Sequence, residues 1–480
     1  QVCKKPMERG LSRKLQEAIK RCKDEANISD SLALQGEGRG ESCPPAMPEK
    51  LPKLVELLTS NVLPHKRPAV AAMIFPALAV HVNNCLFKLR DNTDVELSLM
   101  CCLLAQQSVG KGCVKPVLKQ IMADIKTQDR INRERERQWQ ESQKNKKANE
   151  KGQSKPEDLV IRYLSSDTTP AAFLGRLFAA EHGDGTTPNL CTYSQVDEIE
   201  DLYRFCASGG KNMVQQMIKR TWDRDDIGAE RFTANAANIA TVLRWNWAAS
   251  STIEGGRKFF RNCLTDGTTS RVDFCTIIQP STVIDFCYGD YDADFRAALK
   301  PYIDNLVNFR CQQDEDGNVI PCLFLQIREM EERLNAHINQ TSSTMPDNTW
   351  ENYAWRAKVM AIKKLIILYL ANGQRWEAEF EPFIWWSFNY SMWCKLNLFY
   401  DAAAAQFEEE RIVAQRGNES PLKAMRREFS MGEFAAECQR RKCKQSPAAI
   451  LRKYKSRGVV VQAGDTFAIQ PDYAKRFGIQ

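Results

Sequence analysis

The sequence predicts an α/β fold, a parallel sheet flanked by helices, followed by an all-α region and a small C-terminal module. The first observation behind this is a series of five short apolar or β-favouring segments between Val95 and Ile278: VELSLMCCLLA, DLVIRYLSS, NLCTYSQV, TVLRWNWAAS and RVDFCTII. Helix-like stretches separate them, and near-continuous apolar strands alternating with helices are the pattern of a parallel sheet covered on both faces. The second is the stretch from Pro301 to about Glu410, which reads as helices throughout, including WRAKVMAIKKLIILYLANG and an aromatic-rich EFEPFIWWSFNYSMWCKLNLFY. Aromatic residues three and four apart are the spacing of helix packing, so Trp385, Trp386, Tyr390 and Trp393 are assigned to core. The third is a change of character after about Ser420, where two short amphipathic segments precede the hairpin-like VVVQAGDTFAIQ.

These observations divide the chain into residues 1–48, a tail and linker ending in GEGRGESCPP; 49–300, the α/β domain; 301–415, the helical region; and 416–480, the C-terminal module. From Pro48 an amphipathic LPKLVELLTS and an apolar AVAAMIFPALAVHV read as two helices, the second largely buried. A charged insertion at about 126–156, TQDRINRERERQWQESQKNKKANEKGQ, has strong helix formers but almost no apolar stripe. It is expected to be a solvated helical arm, with contact to nucleic acid as the alternative.

At 480 residues the chain is long enough for roughly three domains of about 150 residues. Its seventeen cysteines are scattered through apolar segments, the usage of reduced thiols in a cytoplasmic protein. The nearest approaches to a metal pattern are Cys438 with Cys443 and Cys311 with Cys322, none of them a CxxC pair, so no zinc site is expected. No charged and apolar leader is visible at Gln1, and no apolar run is long enough to cross a bilayer. The net charge of +7 is mild, but the surplus gathers between Lys126 and Lys155 and between Arg426 and Arg476.

The segment AQQSVGKGC, comprising Ala105, Gln106, Gln107, Ser108, Val109, Gly110, Lys111, Gly112 and Cys113, follows the first strand and precedes a plausible helix. That is the setting of the phosphate loop G-x-x-x-x-G-K-[ST], where backbone N–H groups converge on phosphates, the lysine reaches the outer ones and the hydroxyl binds Mg²⁺. Gly110 and Lys111 fit; Ala105 replaces the first glycine and Gly112 the hydroxyl. Asp197 and Glu198 directly follow the third strand, where one carboxylate can hold a metal ion through water and the other can orient an attacking water. At the tip of the fourth strand, Asn246 or the hydroxyls of Ser250, Ser251 and Thr252 are candidates to sense a terminal phosphate. Arg271, before the fifth strand, is a candidate arginine finger, with a structural ion pair as the competing reading.

In the C-terminal module Ser430 is placed as an N-cap and Ser446 as a second, with Pro447 in the first turn. Helix, turn, helix, hairpin is a winged-helix plan, in which the second helix enters the DNA major groove. Arg452, Lys453, Lys455 and Arg457 are its candidate DNA contacts, with Arg440, Arg441 and Lys442 as phosphate contacts. A winged helix used for protein contacts is the alternative.

The run DTTPAAFLGRL, the strand ending in DEIEDLY and the later DGTTSRVDFCTI resemble a family of primase-helicase-type P-loop ATPase domains of bacterial mobile genetic elements and prophages, often found after a primase-like or virulence-protein-E-like domain. The resemblance spans roughly Pro48 to Asp401. It implies a RecA-like or AAA+-like core, ATP and Mg²⁺ as ligands with Asp197 toward the metal, DNA as partner, a ring of identical subunits, and replication or mobilisation proteins of the element as further partners. It assigns the phosphate-loop lysine to Lys111, the acidic pair to Asp197 and Glu198, and the arginine after the DG turn to Arg271. The chain departs from the pattern at Gly112, which supplies no hydroxyl for Mg²⁺. An ATPase acting on DNA and a degenerate, DNA-binding ATPase fold without turnover therefore both remain open.

Overall fold

The computed structural model describes residues 43–145, 156, 158–206, 210–229, 239–278, 290–345, 349–417, 421–441, 443, 445–456, 458–471 and 474. Residues 1–42 of the tail and linker expected over 1–48, the tip of the charged arm, Lys442 and Arg457 lie outside them. Contacts divide the chain into two compact units, residues 1–400 and 401–480.

In the first unit, two short helices, α1 (Lys53–Thr59) and α2 (Arg67–Ala79), precede a small antiparallel ribbon of β1 (Phe87–Lys88) and β2 (Asp94–Val95). The five expected strands all form: β3 (Met100–Ala105), β4 (Tyr163–Leu164), β5 (Thr192–Val196), β8 (Trp245–Thr252) and β9 (Asp273–Cys275). A second ribbon, β6 (Asp226–Ala229) with β7 (Ile239–Val242), stands outside that sheet; the expected segment TVLRWNWAAS, read as one strand, divides between the end of β7 and β8. The five strands make one parallel sheet in the order β4-β5-β8-β3-β9. The fourth strand in the chain is thus inserted between the first and the third, and the flanked parallel sheet is consistent with a RecA-like core. All six residues of β3 are buried, as a central strand covered on both faces requires.

Between the strands run α3 (Val114–Ile121), α4 (Ala123–Lys144), α5 (Pro170–His182), α6 (Gly210–Asp223) and α7 (Ile253–Phe260). Then come α8 (Ala293–Asn308), α9 (Leu325–Ser342), α10 (Thr349–Ala371) and α11 (Phe380–Gly417). Trp386, Tyr390 and Trp393 on α11 are buried, as their spacing predicts, and Trp385 is half-buried. No helix among the described residues is long and apolar enough to cross a membrane.

The arm α4 is better anchored than its composition predicts. Asp129 and Asn132 are buried and dock it on the edge strand: the Asp129 carboxylate accepts from the Arg162 N–H at 3.0 Å and the Tyr163 N–H at 2.6 Å, and Asn132 Nδ2 donates to the Val160 carbonyl at 2.7 Å. Polar side chains replace the missing apolar stripe by satisfying backbone groups that an edge strand leaves open. Further along, Arg137 pairs with Glu134 and Glu141 at 2.6 Å, so the exposed part largely neutralises itself.

His81, fully buried just after α2, faces the carbonyl of Ile121 at the end of α3 with Nε2 at 3.0 Å. Burial, reinforced by the Arg162 charge, pushes its pKa down to about 3. The folded chain therefore binds this proton more weakly than the unfolded chain does. Its stabilising contribution is complete above pH 6.5 and is lost as pH falls from 6.5 toward 3. Urea unfolding at pH 5.0 should show about 2 kcal/mol less stability from this group than at pH 7.5; that pH-dependent loss should be absent in His81→Asn.

In the second unit, β10 (Glu428–Ser430) leads into α12 (Met431–Arg440), followed by α13 (Pro447–Ser456) and the hairpin β11 (Val460–Ala463) and β12 (Thr466–Ile469). Strand β12 pairs with both β10 and β11, closing a three-stranded antiparallel sheet. Phe429, Phe434, Leu451 and Phe467 lie in its core. Ser430 caps α12 in a reciprocal box with Glu433, and Ser446 Oγ accepts from the Ala449 N–H at 3.3 Å, so both expected caps form.

Candidate functional site

In an open parallel sheet the carboxyl ends of the strands share one edge, and ligands gather there. Register fixes that edge here: Ala105, last in β3, pairs with Thr252, last in β8, and Val196, last in β5, pairs with Ala249. The loop after Ala105, the acidic pair after Val196 and the Ser251–Thr252 corner therefore lie side by side.

The loop turns through Ser108 (φ 63°) and Gly110 (φ 78°) before a short 3-10 turn, Lys111–Cys113, enters α3. Left-handed residues followed by right-handed ones bring successive N–H groups toward one side, a geometry suited to anions, and the first N–H groups of a helical stretch have no partner within it. Gly110 is the residue for that position because a Cβ there would be strained. Gln106, Gln107 and Ser108 are exposed, Gly110, Lys111 and Gly112 half-buried, and Val109 and Cys113 anchor the loop from beneath. Burial raises the Cys113 thiol to about 11, so it sits there as a protonated packing group.

Across the edge, Asp197 does not face Lys111. It is held by Lys115, the second residue of α3, whose Nζ lies 2.9 Å from the carboxylate. Glu198 accepts a hydrogen bond from Ser251 Oγ at 2.9 Å. Thr252 caps α7, accepting from the Gly255 N–H at 3.0 Å, and a Cβ on Gly255 would come 2.6 Å from Ser251 Oγ. Glycine therefore lets α7 start tight against the hydroxyl that orients Glu198.

Lys115 was missed because it lies outside the loop pattern; its spacing, one helical turn beyond Lys111, is the only sequence signal for it. Lys66, just before α2, is buried, and burial lowers its pKa.

Two other site candidates fall at the opposite edge. Asn246 is the second residue of β8 and fully buried; its Oδ1 accepts from the Leu99 N–H at 2.7 Å, which fastens the approach to β3. Six residue steps along the strand separate it from Thr252, about 20 Å. It is a structural residue at the amino edge, and the tip position belongs to Ser251. Arg271 precedes β9, whose first residue, Asp273, is in register with Cys101 near the start of β3. Its guanidinium pairs with Asp223 at 2.8 Å and donates to the Gly267 carbonyl at 3.1 Å. Within its own chain Arg271 forms an ion pair near the amino end of β9, at the edge opposite the Lys111 loop.

In the second unit, Arg440 and Arg441 both pair with Glu437, Arg440 at 2.7 Å, and the two guanidiniums lower the Glu437 carboxyl to about 2. The single Glu437 carboxylate answers one of the two positive charges, so the group keeps a net positive charge with Arg440 exposed. Arg452, Lys453 and Lys455 are exposed on α13; Lys455 Nζ also donates to Gln462 Oε1 of the hairpin at 2.8 Å.

No family model and no curated protein matches the chain. Among solved structures it is similar to a chain titled "SCCmec type IV Cch - active helicase", at 9% identity and a TM-score of 0.32, with 92% of this chain and 74% of that one covered. A likeness that weak carries no functional argument, and the fold rests on the strand order itself.

Proposed function

We propose that this chain is a DNA-associated P-loop nucleoside triphosphatase of the helicase or primase-helicase kind, working in replication or mobilisation of a mobile genetic element. The observation that carries the reading is the meeting, at one carboxyl edge of a parallel sheet, of a lysine loop with left-handed turns, an acidic pair and a hydroxyl bonded to that pair. ATP phosphates would be held by the backbone of residues 108–112 and by Lys111, Mg²⁺ would be held near Asp197, and Glu198 would orient the attacking water. When bound, the metal ion supplies charge neutralisation between the outer phosphates. The second unit supports a winged-helix reading, with Arg452, Lys453 and Lys455 of α13 toward DNA phosphates. Arg271 would act only on the nucleotide of a neighbouring copy in a ring.

A second reading, a DNA-binding scaffold without turnover, is favoured by Ala105 and Gly112 in the loop and by the Lys115 ammonium already paired with Asp197. DNA-stimulated ATP hydrolysis decides between them. On the first reading wild type hydrolyses ATP and Lys111→Ala loses at least about a hundredfold in kcat/KM, as expected for removing a charged group that stabilises the transferring phosphoryl. Equal rates in both proteins would overturn that reading. A near-inactive parent that gains turnover on Gly112→Ser would establish the second.

A further inference from the structure

Away from the sheet edge, three thiols meet where the chain leaves α8. Cys311 and Cys322 Sγ atoms are 3.0 Å apart, and Cys85 completes the cluster. The approach is built by backbone. Asp314 and Asn318 close a turn with the Asp314 N–H donating to the Asn318 carbonyl at 2.9 Å, Gln313 bridges Val319, and the Ile320 N–H donates to the Gln312 carbonyl at 2.8 Å. This tight hairpin returns Cys322 to Cys311. The ribbon β1 then fixes the returning strand: the Cys322 N–H donates to the Leu86 carbonyl at 2.8 Å, and the Lys88 N–H to the Cys322 carbonyl at 2.9 Å.

The pair is also reachable. Both cysteines are half-buried, and Cys322 lines an open cavity of about 630 Å³ together with Phe309, Arg310, Ile320 and Gln374. The Cys322 thiol donates to the Cys311 sulfur, which lowers the Cys311 pKa and raises that of Cys322. Two thiols in contact, one of them lining a solvent-accessible cavity, have the features of a redox-active pair. The other cysteines of the first unit that are buried, such as Cys102 and Cys275, have none of that access.

We propose that Cys311 and Cys322 form a peroxide-reactive dithiol site, with Cys311 the attacking thiolate and Cys322 the resolving thiol. The Cys311 thiolate attacks one oxygen of hydrogen peroxide; the O–O bond breaks, and the departing hydroxide takes up a proton to become water. The resulting sulfenic acid is attacked by Cys322; an S–S bond forms, the S–O bond breaks, and the hydroxyl leaves with the Cys322 proton as a second water. Two thiols lose two electrons and one peroxide is reduced to two waters. The site is independent of the nucleotide reading.

The test uses the full chain, reduced, desalted and exposed to graded hydrogen peroxide at neutral pH. Cleavage after Arg310 and Arg328 releases one peptide holding both cysteines, so the disulfide reads as a loss of two hydrogens in the mass spectrum. Cys43, exposed and outside the cluster, is the internal reference. Wild type should convert this peptide at a peroxide concentration at least tenfold below that which oxidises Cys43, and Cys322→Ser should accumulate a dimedone-reactive sulfenic acid at Cys311. A peptide still reduced when Cys43 is oxidised overturns the proposal. A wild-type disulfide between Cys85 and Cys311 also overturns it, since Cys322 would then not be the resolving thiol.

Discussion

Asp273→Ala should lower the unfolding free energy of the first unit by about 3–5 kcal/mol, the cost of removing one partner of a buried ion pair. Asp273 is 2% exposed at the start of β9, and its Oδ2 lies 2.5 Å from Lys364 Nζ of α10. Lys364 donates in addition to Ser387 Oγ at 2.8 Å. A second buried ammonium, Lys395 of α11, donates to the Ser270 carbonyl at 3.1 Å. Burial lowers Lys395 to about 7, and Asp273 is the leading charge that opposes this. Without the carboxylate, two ammonium groups face each other in the core with no counter-charge.

The pH dependence has a definite sign. A lysine whose folded pKa lies below its unfolded value binds its proton less tightly when folded, so stability rises with pH between the two values. The part of the Asp273→Ala deficit carried by Lys395 should therefore shrink as pH rises from 5 to 7, where Lys395 sheds its proton even with the carboxylate present. Urea titrations at both pH values measure this. A loss under about 1 kcal/mol at pH 7 would sink the argument, being no larger than a surface ion pair gives. Asp273→Leu combined with Lys364→Met should recover most of the loss, since an apolar pair of similar volume replaces the buried charges.

On the proposed triphosphatase reading, Glu198→Gln should reduce nucleotide turnover by about 10²–10⁴, the range for a lost general base, while nucleotide affinity changes only a few-fold. Glu198 sits at the carboxyl edge with one oxygen fixed by Ser251 Oγ, an arrangement that aims the carboxylate without neutralising it. Glutamine keeps the size and can still accept that bond, but it cannot take a proton from water. Ser251→Ala leaves the charge and removes the orientation, so its effect should be smaller, about tenfold. Steady-state hydrolysis and nucleotide titration on the same preparations separate the two effects. Unchanged turnover in Glu198→Gln would remove Glu198 from the chemistry and leave the edge as a binding surface.

Much of the architecture was legible locally. The five strands, the helices after Pro301 and both C-terminal caps follow from apolar runs, 3.6-residue spacing and Ser–x–x–Glu or Ser–Pro starts, all of which are short-range signals. The lysine loop was legible for the same reason, since strand, glycine turn and helix are consecutive in the chain. The charged arm was misjudged at its base because Asp129 and Asn132 dock it by hydrogen bonds, and a polar residue gives no sign in the sequence of whether a backbone N–H or water will meet it. Lys363, Lys364 and Lys395 present the same difficulty in reverse. Lysines in a helix ordinarily reach water, yet all three are buried because carbonyls of Ser98 and Ser270 and the Asp273 carboxylate wait at the amino edge of the sheet.

By itself the sequence determined which segments become strands and helices and that a lysine loop follows the first buried strand, because burial periodicity and turn chemistry act between near neighbours. Only the tertiary structure decided the strand order, and with it which polar residues share an edge. It brought Ser251 to Glu198 and Lys115 to Asp197, and it carried Asn246 and Arg271 to the far side. The physical reason is direction: a parallel strand has a carboxyl end and an amino end about 20 Å apart, and neighbours at either end come from pairing partners tens to more than a hundred residues away.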